Sequence, residues 1–262
     1  GYLLQGQTLA DLARAAGIEE FIFIIGRGKT LVVDHFDLQP ELIDALEKAG
    51  KDQLLEKVHA SDIDSGHLQT VTQQLPLGLG HAVFCARSLI GDEPFALLLP
   101  DVVTLNGKPC LAQMMDVYQG GNMIAAVQVP TEDVHKYGIL DMEAGAGKLR
   151  PIKAMVEKPK TEEAPSNWSI LGRYILQPEI FAELEKGERG AGGEIQLTDA
   201  MARLMSSQAF DAFLFGGQHY DCGHHIGFIE ANIAFALADP QFSAQMIRVL
   251  EKFGPEARKS AA

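Results

Sequence analysis

Two aspartates, Asp101 and Asp221, are candidate ligands of a hard cation. Asp101 comes directly after the run Phe95-Ala-Leu-Leu-Leu-Pro, and Asp221 lies in the segment Tyr220-Asp-Cys-Gly223. A carboxylate beyond the end of a buried strand suits Mg²⁺, so Asp101 is a candidate ligand of such an ion. The alternative for Asp101 is an Asx turn or a helix cap. Asp221 is either a second metal carboxylate or a helix cap.

An acid and a base stand side by side at Glu157 and Lys158, within Val156-Glu-Lys-Pro159. Neighbours on a strand point to opposite faces, so a Glu that accepts hydrogen bonds from hydroxyls and a Lys that meets a phosphate would suit a phosphosugar. An exposed, charged strand end is the alternative. Glu194 lies in the glycine-rich segment 190–199 and is a candidate cap for the helix that follows. No Ser/His/Asp or Cys/His set that would supply a nucleophile is evident.

Glycines and amides join a strand to a helix in residues 73–81, Gln-Gln-Leu-Pro-Leu-Gly-Leu-Gly-His. The glycines allow a ligand to approach the backbone and the amides can bind a base edge, although a tight turn is the alternative. Residues 26–30, Gly-Arg-Gly-Lys-Thr, invite comparison with a P-loop, but Phe23 stands where that motif needs its first glycine, so we exclude it. Arg27 and Lys29 either lie near a phosphate or belong to a solvated turn.

Alternating strand and helix patterns must position these residues. The alternation, followed by a β-rich insertion at about 137–176, indicates an α/β fold with a parallel sheet at its centre. We expect one domain over residues 1–262, with a frayed tail from residue 256. The predicted strands are 21–25, 68–72, 95–99, 123–129, 138–141, 149–156, 169–176 and 212–215. The predicted helices are 9–16 with Thr8 as its cap, 40–48, 80–89, 109–118, 178–184, 196–206, 227–238 and 240–253.

Composition limits the class of protein. The 262 residues are 47% hydrophobic and 22% charged, which is ordinary for a globular chain that buries about 75% of its unfolded surface. The net charge of −13 disfavours nucleic acid as a partner. Apolar runs fall well short of the ~20 residues that span a membrane, and we expect no secretory leader. Three separated cysteines fit neither a disulfide framework nor a zinc site, and they predict a reducing cytoplasm.

The segments above, in this order, resemble the bacterial UTP–glucose-1-phosphate uridylyltransferases, also called UDP-glucose pyrophosphorylases. The most specific are 76–82, Pro-Leu-Gly-Leu-Gly-His-Ala, and 192–199, Gly-Gly-Glu-Ile-Gln-Leu-Thr-Asp, which separate this family from related sugar nucleotidyltransferases. The resemblance runs from about residue 16 to residue 238. The other similar stretches are 16–21, 26–29, 34–37, 91–94, 99–101, 137–139, 156–159, 164–167, 172–179 and 220–223.

The resemblance implies a Rossmann-like nucleotidyltransferase fold, with a mixed, mostly parallel central sheet flanked by helices, a small antiparallel β subregion and C-terminal helices. It implies formation of UDP-glucose and pyrophosphate from UTP and α-D-glucose 1-phosphate with Mg²⁺, and a homodimer or homotetramer with helices at 227–253 as a possible interface. Neither nucleic acid nor a membrane is expected as a partner. By position, the resemblance implies that the uracil edge is recognised by Gln73 and Gly78 and that Mg²⁺ is bound by Asp101 and Asp221. It implies that glucose hydroxyls are held by Gly138, Glu157 and Glu194 and that the sugar phosphate is contacted by Lys158. It also implies that the sugar pocket is lined by Asn167, Gly172 and Arg173.

One departure from the family pattern leaves two expectations open. The family opens with a buried strand, a Gly-x-Gly-Thr-Arg loop that wraps the triphosphate, and a Pro-Lys-Glu segment, whereas here Gly1-Tyr-Leu-Leu-Gln-Gly6 precedes the first helix. Either this sequence is a shortened form of an ordinary enzyme, which we favour, or the chain binds UDP-sugars with impaired or no catalysis. A sheet without its central strand would have two unpaired strand edges.

Overall fold

Strands and helices alternate along the chain in nearly the order that the sequence predicts. The computed structural model describes residues 9–260 except 37 and 65. The strands are β1 (Phe21–Gly26), β2 (Leu68–Gln73), β3 (Phe95–Leu98), β4 (Val102–Leu105), β5 (Asn122–Gln128), β6 (Gly138–Met142), β7 (Leu149–Glu157), β8 (Trp168–Leu176), β9 (Phe210–Leu214) and β10 (Gln218–Asp221). The helices are α1 (Leu9–Arg14), α2 (Thr30–Asp34), α3 (Pro40–Lys48), α4 (Asp52–Ser61), α5 (Leu79–Cys85), α6 (Arg87–Ile90), α7 (Cys110–Met115), α8 (Ile180–Glu185), α9 (Leu197–Leu204), α10 (His225–Ala238) and α11 (Ser243–Ser260).

Six strands form one mixed sheet in the order β3-β8-β5-β9-β7-β6. Both β3 and β5 pair antiparallel with β8, and β5 pairs parallel with β9, so β3, β5 and β9 run in the same direction. A second sheet holds the parallel pair β1 and β2, and a third holds the antiparallel pair β4 and β10. The α/β class with a mixed sheet is therefore confirmed. Antiparallel pairing extends further than the sequence indicates, because β8 inserts between β3 and β5.

The central strand β5 is buried on both faces. Its side chains alternate, so Ile124 and Ala126 lie in the apolar cluster covered by α5, α8 and α9. Met123, Ala125 and Val127 lie in the cluster that includes residues of α1 and α7. An apolar run without polar alternation is what a strand between two layers of helices requires. Full burial of one such isoleucine contributes roughly 1.5–3 kcal/mol.

An apolar run without polar alternation, such as that of β1, is typical of a strand buried on both faces, but β1 is only partly buried. Phe21 is buried, but the rest of the strand is partly exposed. Within residues 9–36, 38–64 and 66–260, β1 pairs only with β2 and β3 pairs only with β8. Phe23 of β1 and Leu98 of β3 nevertheless belong to one apolar cluster. Strands β1 and β3 thus share an apolar core without hydrogen bonds between them. This agrees with the two unpaired strand edges that are expected when the central strand is missing.

Most elements that the sequence does not predict are short or depend on distant partners; the ten-residue helix α4 is the exception. Strands β4 and β10 have four residues each and pair with one another from far apart in the chain, so no local pattern marks them. Helices α2 and α4 were also missed; α2 has five residues. The predicted helix 80–89 divides at Ala86 into α5 and α6, and α11 continues to Ser260 where a frayed tail was expected. Thr8, the predicted cap of α1, lies outside the described residues.

The two C-terminal helices, α10 and α11, carry an exposed apolar surface. Phe228 is 57% exposed and Phe253 is 54% exposed, although the two helices pack against each other. Contiguous exposed apolar patches mark interaction sites. None of the helices in the described part of the chain has the length and apolar composition to cross a membrane. The other exposed apolar side chains of this C-terminal apolar surface are Ile226, Ile229, Leu237, Ile247, Val249 and Leu250.

Candidate functional site

The register of a short antiparallel pair brings the two predicted metal carboxylates together. Asp221 ends β10 opposite Val102, the first residue of β4, and Asp101 directly precedes Val102. The N–H of Cys222 donates to the carbonyl oxygen of Asp101 at 2.6 Å and closes the pair. A Cβ atom at Gly223 would lie 2.9 Å from Asp221 Oδ1 and 3.4 Å from Asp101 Oδ2. Both carboxylates therefore border the same small space.

Asp221 is held in place by its neighbours. The N–H of Gly223 donates to Asp221 Oδ1 at 2.9 Å, and the Tyr137 hydroxyl donates to Oδ2 at 3.4 Å. Burial, together with the charge of Asp221, raises the pKa of Tyr137 to about 12, so the phenol keeps its proton at neutral pH. The cap of α10 is His224, whose Nδ1 accepts from Gly227, so the alternative of Asp221 as the cap of that helix is wrong.

The two carboxylates fit a hard divalent cation. They offer oxygen ligands, and Asp101 is exposed at the surface of the site. Mg²⁺ is usually bound by one or two carboxylates together with substrate phosphates and water. In the part of the chain that the structure describes, no group of three or more His, Cys, Asp or Glu side chains forms a metal cluster.

Arg173 lies beneath the Asp101 turn. The residue is 2% exposed, and its guanidinium donates to the carbonyls of Leu99 at 2.9 Å and Val102 at 2.6 Å, on either side of the turn. Burial lowers the pKa of Arg173, while the charge of Asp101 opposes this effect. The guanidinium therefore faces the main chain of residues 99–102, which does not favour the predicted direct role in lining a sugar pocket.

Lys158, which directly follows β7, has an unusual backbone conformation. Its φ of +47° is the only positive value among the described residues other than glycine. The Lys158 N–H donates to the Tyr137 carbonyl at 3.0 Å, and its Nζ lies 3.6 Å from Glu157 Oε1. Residues held in a left-handed conformation cost roughly 1–3 kcal/mol each and cluster at functional sites. Lys158 and Asp221 are thus linked through the two ends of Tyr137.

Glu157 is fixed by a residue to which the sequence analysis assigned no role. The Thr198 hydroxyl donates to Glu157 Oε2 at 2.7 Å, and Thr198 is 6% exposed. Gly138 pairs with Glu157 across β6 and β7. A Cβ atom at Gly138 would lie 3.1 Å from both Glu157 Oε2 and Thr198 Oγ1, and 2.9 Å from Ile170 Cδ1. A side chain at position 138 would therefore displace the carboxylate or its neighbours.

The predicted base-binding residues form a turn that packs on itself. Gln73 ends β2, and its Nε2 donates to the Gly78 carbonyl at 3.1 Å and lies 3.0 Å from His81 Nδ1. Gly78 has φ +107°, which favours glycine. We call residues 73–81 the base turn. Its glycine backbone and the Gln73 amide are the groups that the sequence predicts for recognition of a base edge.

The base turn is joined by its backbone to the glycine-rich loop, residues 190–196. Ile195 N–H donates to the Leu77 carbonyl at 2.7 Å, and Gly80 N–H donates to the Ile195 carbonyl at 2.9 Å. A Cβ atom at Gly78 would lie 2.7 Å from the Cβ of Glu194, and one at Gly80 would lie 2.7 Å from the Ile195 carbonyl oxygen. Such close approach requires glycine at both positions. The predicted base and sugar residues therefore belong to one packed unit.

Glu194 does not cap the helix that follows it, contrary to the capping alternative. The N-cap of α9 is Gln196, and its described side chain makes no capping hydrogen bond. Instead, Gln196 Nε2 donates to the Ala191 carbonyl at 2.9 Å and to Glu194 Oε2 at 3.2 Å. The Glu194 side chain is exposed, so its carboxylate is available to a ligand.

Asn167, which directly precedes β8, and Gly172 within β8 support the neighbouring backbone. Asn167 Nδ2 donates to the Val129 carbonyl at 3.2 Å, and Val129 N–H donates back to the Asn167 carbonyl at 3.0 Å. Gly172 has φ +74°, and a Cβ there would lie 3.1 Å from Leu99. Leu99 is two residues before Asp101, so Gly172 packs under the same turn that Arg173 contacts.

A continuous path of contacts joins most of the predicted residues. It runs from Asp101 through Cys222, Asp221, Tyr137 and Lys158 to Glu157 and Thr198, and α9 connects Thr198 to the glycine-rich loop and the base turn. The roles of Tyr137, Thr198 and Gln196 were not predicted from the sequence. All three residues stand within motifs that resemble the family, and this position is the signal that could have identified them.

Comparison with known proteins gives a consistent result. The family model described as "Nucleotidyl transferase" matches residues 11–236. A UTP–glucose-1-phosphate uridylyltransferase of Bacillus subtilis is 46% identical over 94% of this chain and 84% of its own length. One from Staphylococcus epidermidis is 45% identical over 92% of this chain and 84% of its own length.

Solved structures agree with these relatives. A UDP-glucose pyrophosphorylase complexed with UDP-glucose has a TM-score of 0.80 and 35% identity, and the match covers 90% of this chain and 87% of that one. A UTP-bound UGPase from Acinetobacter baumannii also has a TM-score of 0.80, with 34% identity over 92% of this chain and 85% of that one. The fold and the sequence therefore point to the same set of proteins.

Proposed function

Because the chain belongs to the nucleotidyl transferase family, and within it to the UTP–glucose-1-phosphate uridylyltransferases, we propose that it forms UDP-glucose and pyrophosphate from UTP and α-D-glucose 1-phosphate. The observation that carries this proposal is the contact path that joins three groups: the acidic pair, which is Asp101 and Asp221, the Glu157–Lys158 pair, and the base turn. A reaction between a sugar phosphate and a nucleotide needs these three kinds of group in one site.

The proposed reaction is a displacement at phosphorus. An oxygen of the sugar phosphate attacks the α-phosphorus of UTP in line, a new P–O bond forms, and the bond to the leaving pyrophosphate breaks. No covalent bond to the protein is needed, which agrees with the absence of a recognisable nucleophile set in the sequence. Catalysis then consists of positioning and of stabilising negative charge.

We assign nucleotide recognition to the base turn. The Gln73 side chain and the backbone at Gly78 can hydrogen-bond the edge of uracil, since an amide both donates and accepts. Gln73 already donates to the Gly78 carbonyl, so its orientation is set before a base binds. This preorganisation favours a single orientation of the base.

Sugar recognition falls to carboxylates and backbone. Glu157 and Glu194 would accept hydrogen bonds from glucose hydroxyls, and Gly138, which has no side chain, leaves room for the Glu157 carboxylate beside it. Asn167 and Gly172 support this pocket from β8. In place of a direct sugar contact, we propose that Arg173 holds the Asp101 turn, through Leu99 and Val102.

Lys158 is the cation that we assign to the sugar phosphate. Its side chain is 47% exposed, and its backbone is anchored to Tyr137. The ammonium would offset the repulsion between two anionic substrates and stabilise charge in the transition state.

Mg²⁺ is the cofactor that we propose, with Asp101 and Asp221 as its protein ligands. When bound, such an ion neutralises phosphate oxygens and polarises the reacting phosphoryl group. Asp221 is held by Gly223 and Tyr137 and provides the fixed side of the site. Asp101 is the exposed partner, supported from below by Arg173.

The test is pyrophosphate release from UTP and glucose 1-phosphate. We expect turnover that depends on both substrates and on added Mg²⁺, and none in the presence of a chelator. A protein that binds UDP-glucose by calorimetry but releases no pyrophosphate would be a UDP-sugar-binding homologue, and catalysis by this chain would be refuted. Replacing glucose 1-phosphate by other sugar phosphates measures the selectivity of the site for the sugar. Replacing UTP by thymidine triphosphate measures its selectivity for the base.

We also propose self-association through the C-terminal apolar surface and a cytoplasmic location. A second copy of the chain would cover Phe228 and Phe253, which a monomer exposes to water. The three cysteines are free thiols, as in most proteins of a reducing compartment. Light scattering on the purified protein should give the mass of a dimer or tetramer, and Phe228→Glu should reduce it. A monomeric wild type would contradict the first part.

A further inference from the structure

The Thr198–Glu157 hydrogen bond joins two elements that carry different parts of the site. Thr198 is the second residue of α9, and Glu157 ends β7. In the middle of a helix, a threonine hydroxyl can donate to a carbonyl of the preceding turn. At the start of α9 no preceding helical turn exists, and the hydroxyl instead donates to Glu157 Oε2 at 2.7 Å. The only hydrogen of this hydroxyl is therefore used for one carboxylate oxygen.

The surroundings of Glu157 make the two carboxylate oxygens unequal. Oε2 faces Thr198 and the closely packed Gly138, where even a Cβ atom would lie within 3.1 Å. Oε1 lies 3.6 Å from Lys158 Nζ, beyond normal hydrogen-bond distance. Oε1 is therefore the carboxylate oxygen that Thr198 leaves for a ligand. Loss of the Thr198 hydroxyl would free the carboxylate to turn toward Lys158.

We propose that Thr198 is a positioning residue that sets the Glu157 carboxylate for recognition of sugar hydroxyls. The inference rests on the proposed function, because it takes Glu157 as the group that meets the sugar. Thr198 itself is 6% exposed, so it acts through Glu157 rather than by touching the substrate. The Thr198–Glu157 hydrogen bond contributes to recognition of the sugar and does not affect recognition of the nucleotide base.

The experiment compares Thr198→Val with Thr198→Ser. Valine has nearly the shape of threonine without the hydroxyl, whereas serine keeps the hydroxyl and loses the methyl group. We expect Thr198→Val to raise the KM for glucose 1-phosphate about tenfold to a hundredfold, the effect of losing a hydrogen bond to a charged group. The KM for UTP should stay within about twofold of wild type, and Thr198→Ser should resemble wild type.

A binding measurement tests the same idea without turnover. The ratio of the dissociation constants for UDP and UDP-glucose reports the contribution of the sugar. This ratio should fall in Thr198→Val and in Glu157→Gln, and Thr198→Val should have little further effect in a Glu157→Gln background, since both changes remove one interaction. Thermal melting confirms that each variant is folded, and Thr198→Ala replaces the valine variant if valine prevents folding.

Several results would overturn the inference. An unchanged ratio and an unchanged KM for glucose 1-phosphate in Thr198→Val would show that the hydroxyl is dispensable. Equal losses in the serine and valine variants would assign the effect to packing of the methyl group. A wild type that releases no pyrophosphate refutes the proposed function, whereas the ratio of dissociation constants still decides the role of Thr198.

Discussion

Gly80 is the position where a single methyl group should test the link between the base turn and the glycine-rich loop. A Cβ atom there would lie 2.7 Å from the Ile195 carbonyl oxygen and 2.9 Å from Leu184 Cδ2. Ordinary contacts begin at 3.4 Å, so Gly80→Ala must push the Ile195 backbone away by about 0.7 Å. Leu184 can turn aside, but the Ile195 carbonyl is main chain and is held by the Gly80 N–H.

The magnitude follows from two effects. Overpacking in a filled region costs about 1–3 kcal/mol, and the Gly80–Ile195 hydrogen bond contributes about 1 kcal/mol. For a chain of this size each kcal/mol lowers Tm by about 2–4 °C, so a loss of about 2–4 kcal/mol should make Gly80→Ala melt about 4–16 °C below wild type. Because Ile195 also donates to Leu77, displacement of its backbone should weaken both loops, and the KM values for UTP and glucose 1-phosphate should rise together.

Thermal unfolding and steady-state kinetics measure these two effects. Gly145→Ala is the matched control, since no atom lies within 4 Å of the corresponding Cβ position and the backbone there has no positive φ. The reasoning is refuted if Gly80→Ala matches Gly145→Ala in both Tm and kinetics. A rise in the KM for UTP alone would show that the base turn moves independently of the glycine-rich loop.

Three further predictions concern single side chains. Asp101→Asn should lower kcat/KM by about 10²–10³-fold and raise the Mg²⁺ concentration needed for half-maximal rate; an unaltered Mg²⁺ dependence would remove Asp101 from the metal site. Lys158→Ala should lower kcat/KM for glucose 1-phosphate by about 10²-fold or more, while the control Lys160→Ala, an exposed ion-paired lysine two residues on, should stay near wild type. Cys110 is 2% exposed and burial raises the pKa of its thiol to about 12, so a thiol reagent at pH 8 should modify it only after denaturation; rapid reaction of all three cysteines in the native protein would contradict its burial.

The sequence was most informative where a local pattern matches a local environment. The run at 123–129 predicts a strand, and β5 forms there, buried between two layers of side chains. Asp101 was selected because it follows a buried strand, and it lies where the turn after β3 exposes it. Both inferences need only a few adjacent residues, which is why they could be made without a structure.

Contacts between distant segments could not be predicted in this way. Glu157 and Thr198 are 41 residues apart, and nothing in either segment specifies the other as its partner. Arg173 shows the same limit, since the family resemblance implied a sugar contact that the structure does not favour. Its guanidinium is buried because two carbonyls of a distant turn accept its hydrogens, and only tertiary structure supplies those acceptors.

The net charge adds a last prediction, because it opposes the encounter that the reaction needs. The chain carries −13, and its named site residues include the carboxylates of Asp101, Asp221, Glu157 and Glu194 against the ammonium of Lys158. The screening length of the electrostatic field is about 30 Å at 0.01 M salt and about 10 Å at 0.1 M, so added salt should screen the repulsion. With Mg²⁺ saturating, we expect kcat/KM for UTP to rise between about 0.01 M and 0.1 M KCl. A steady fall over that range would mean that local cations, rather than the net charge, control the approach of the substrate.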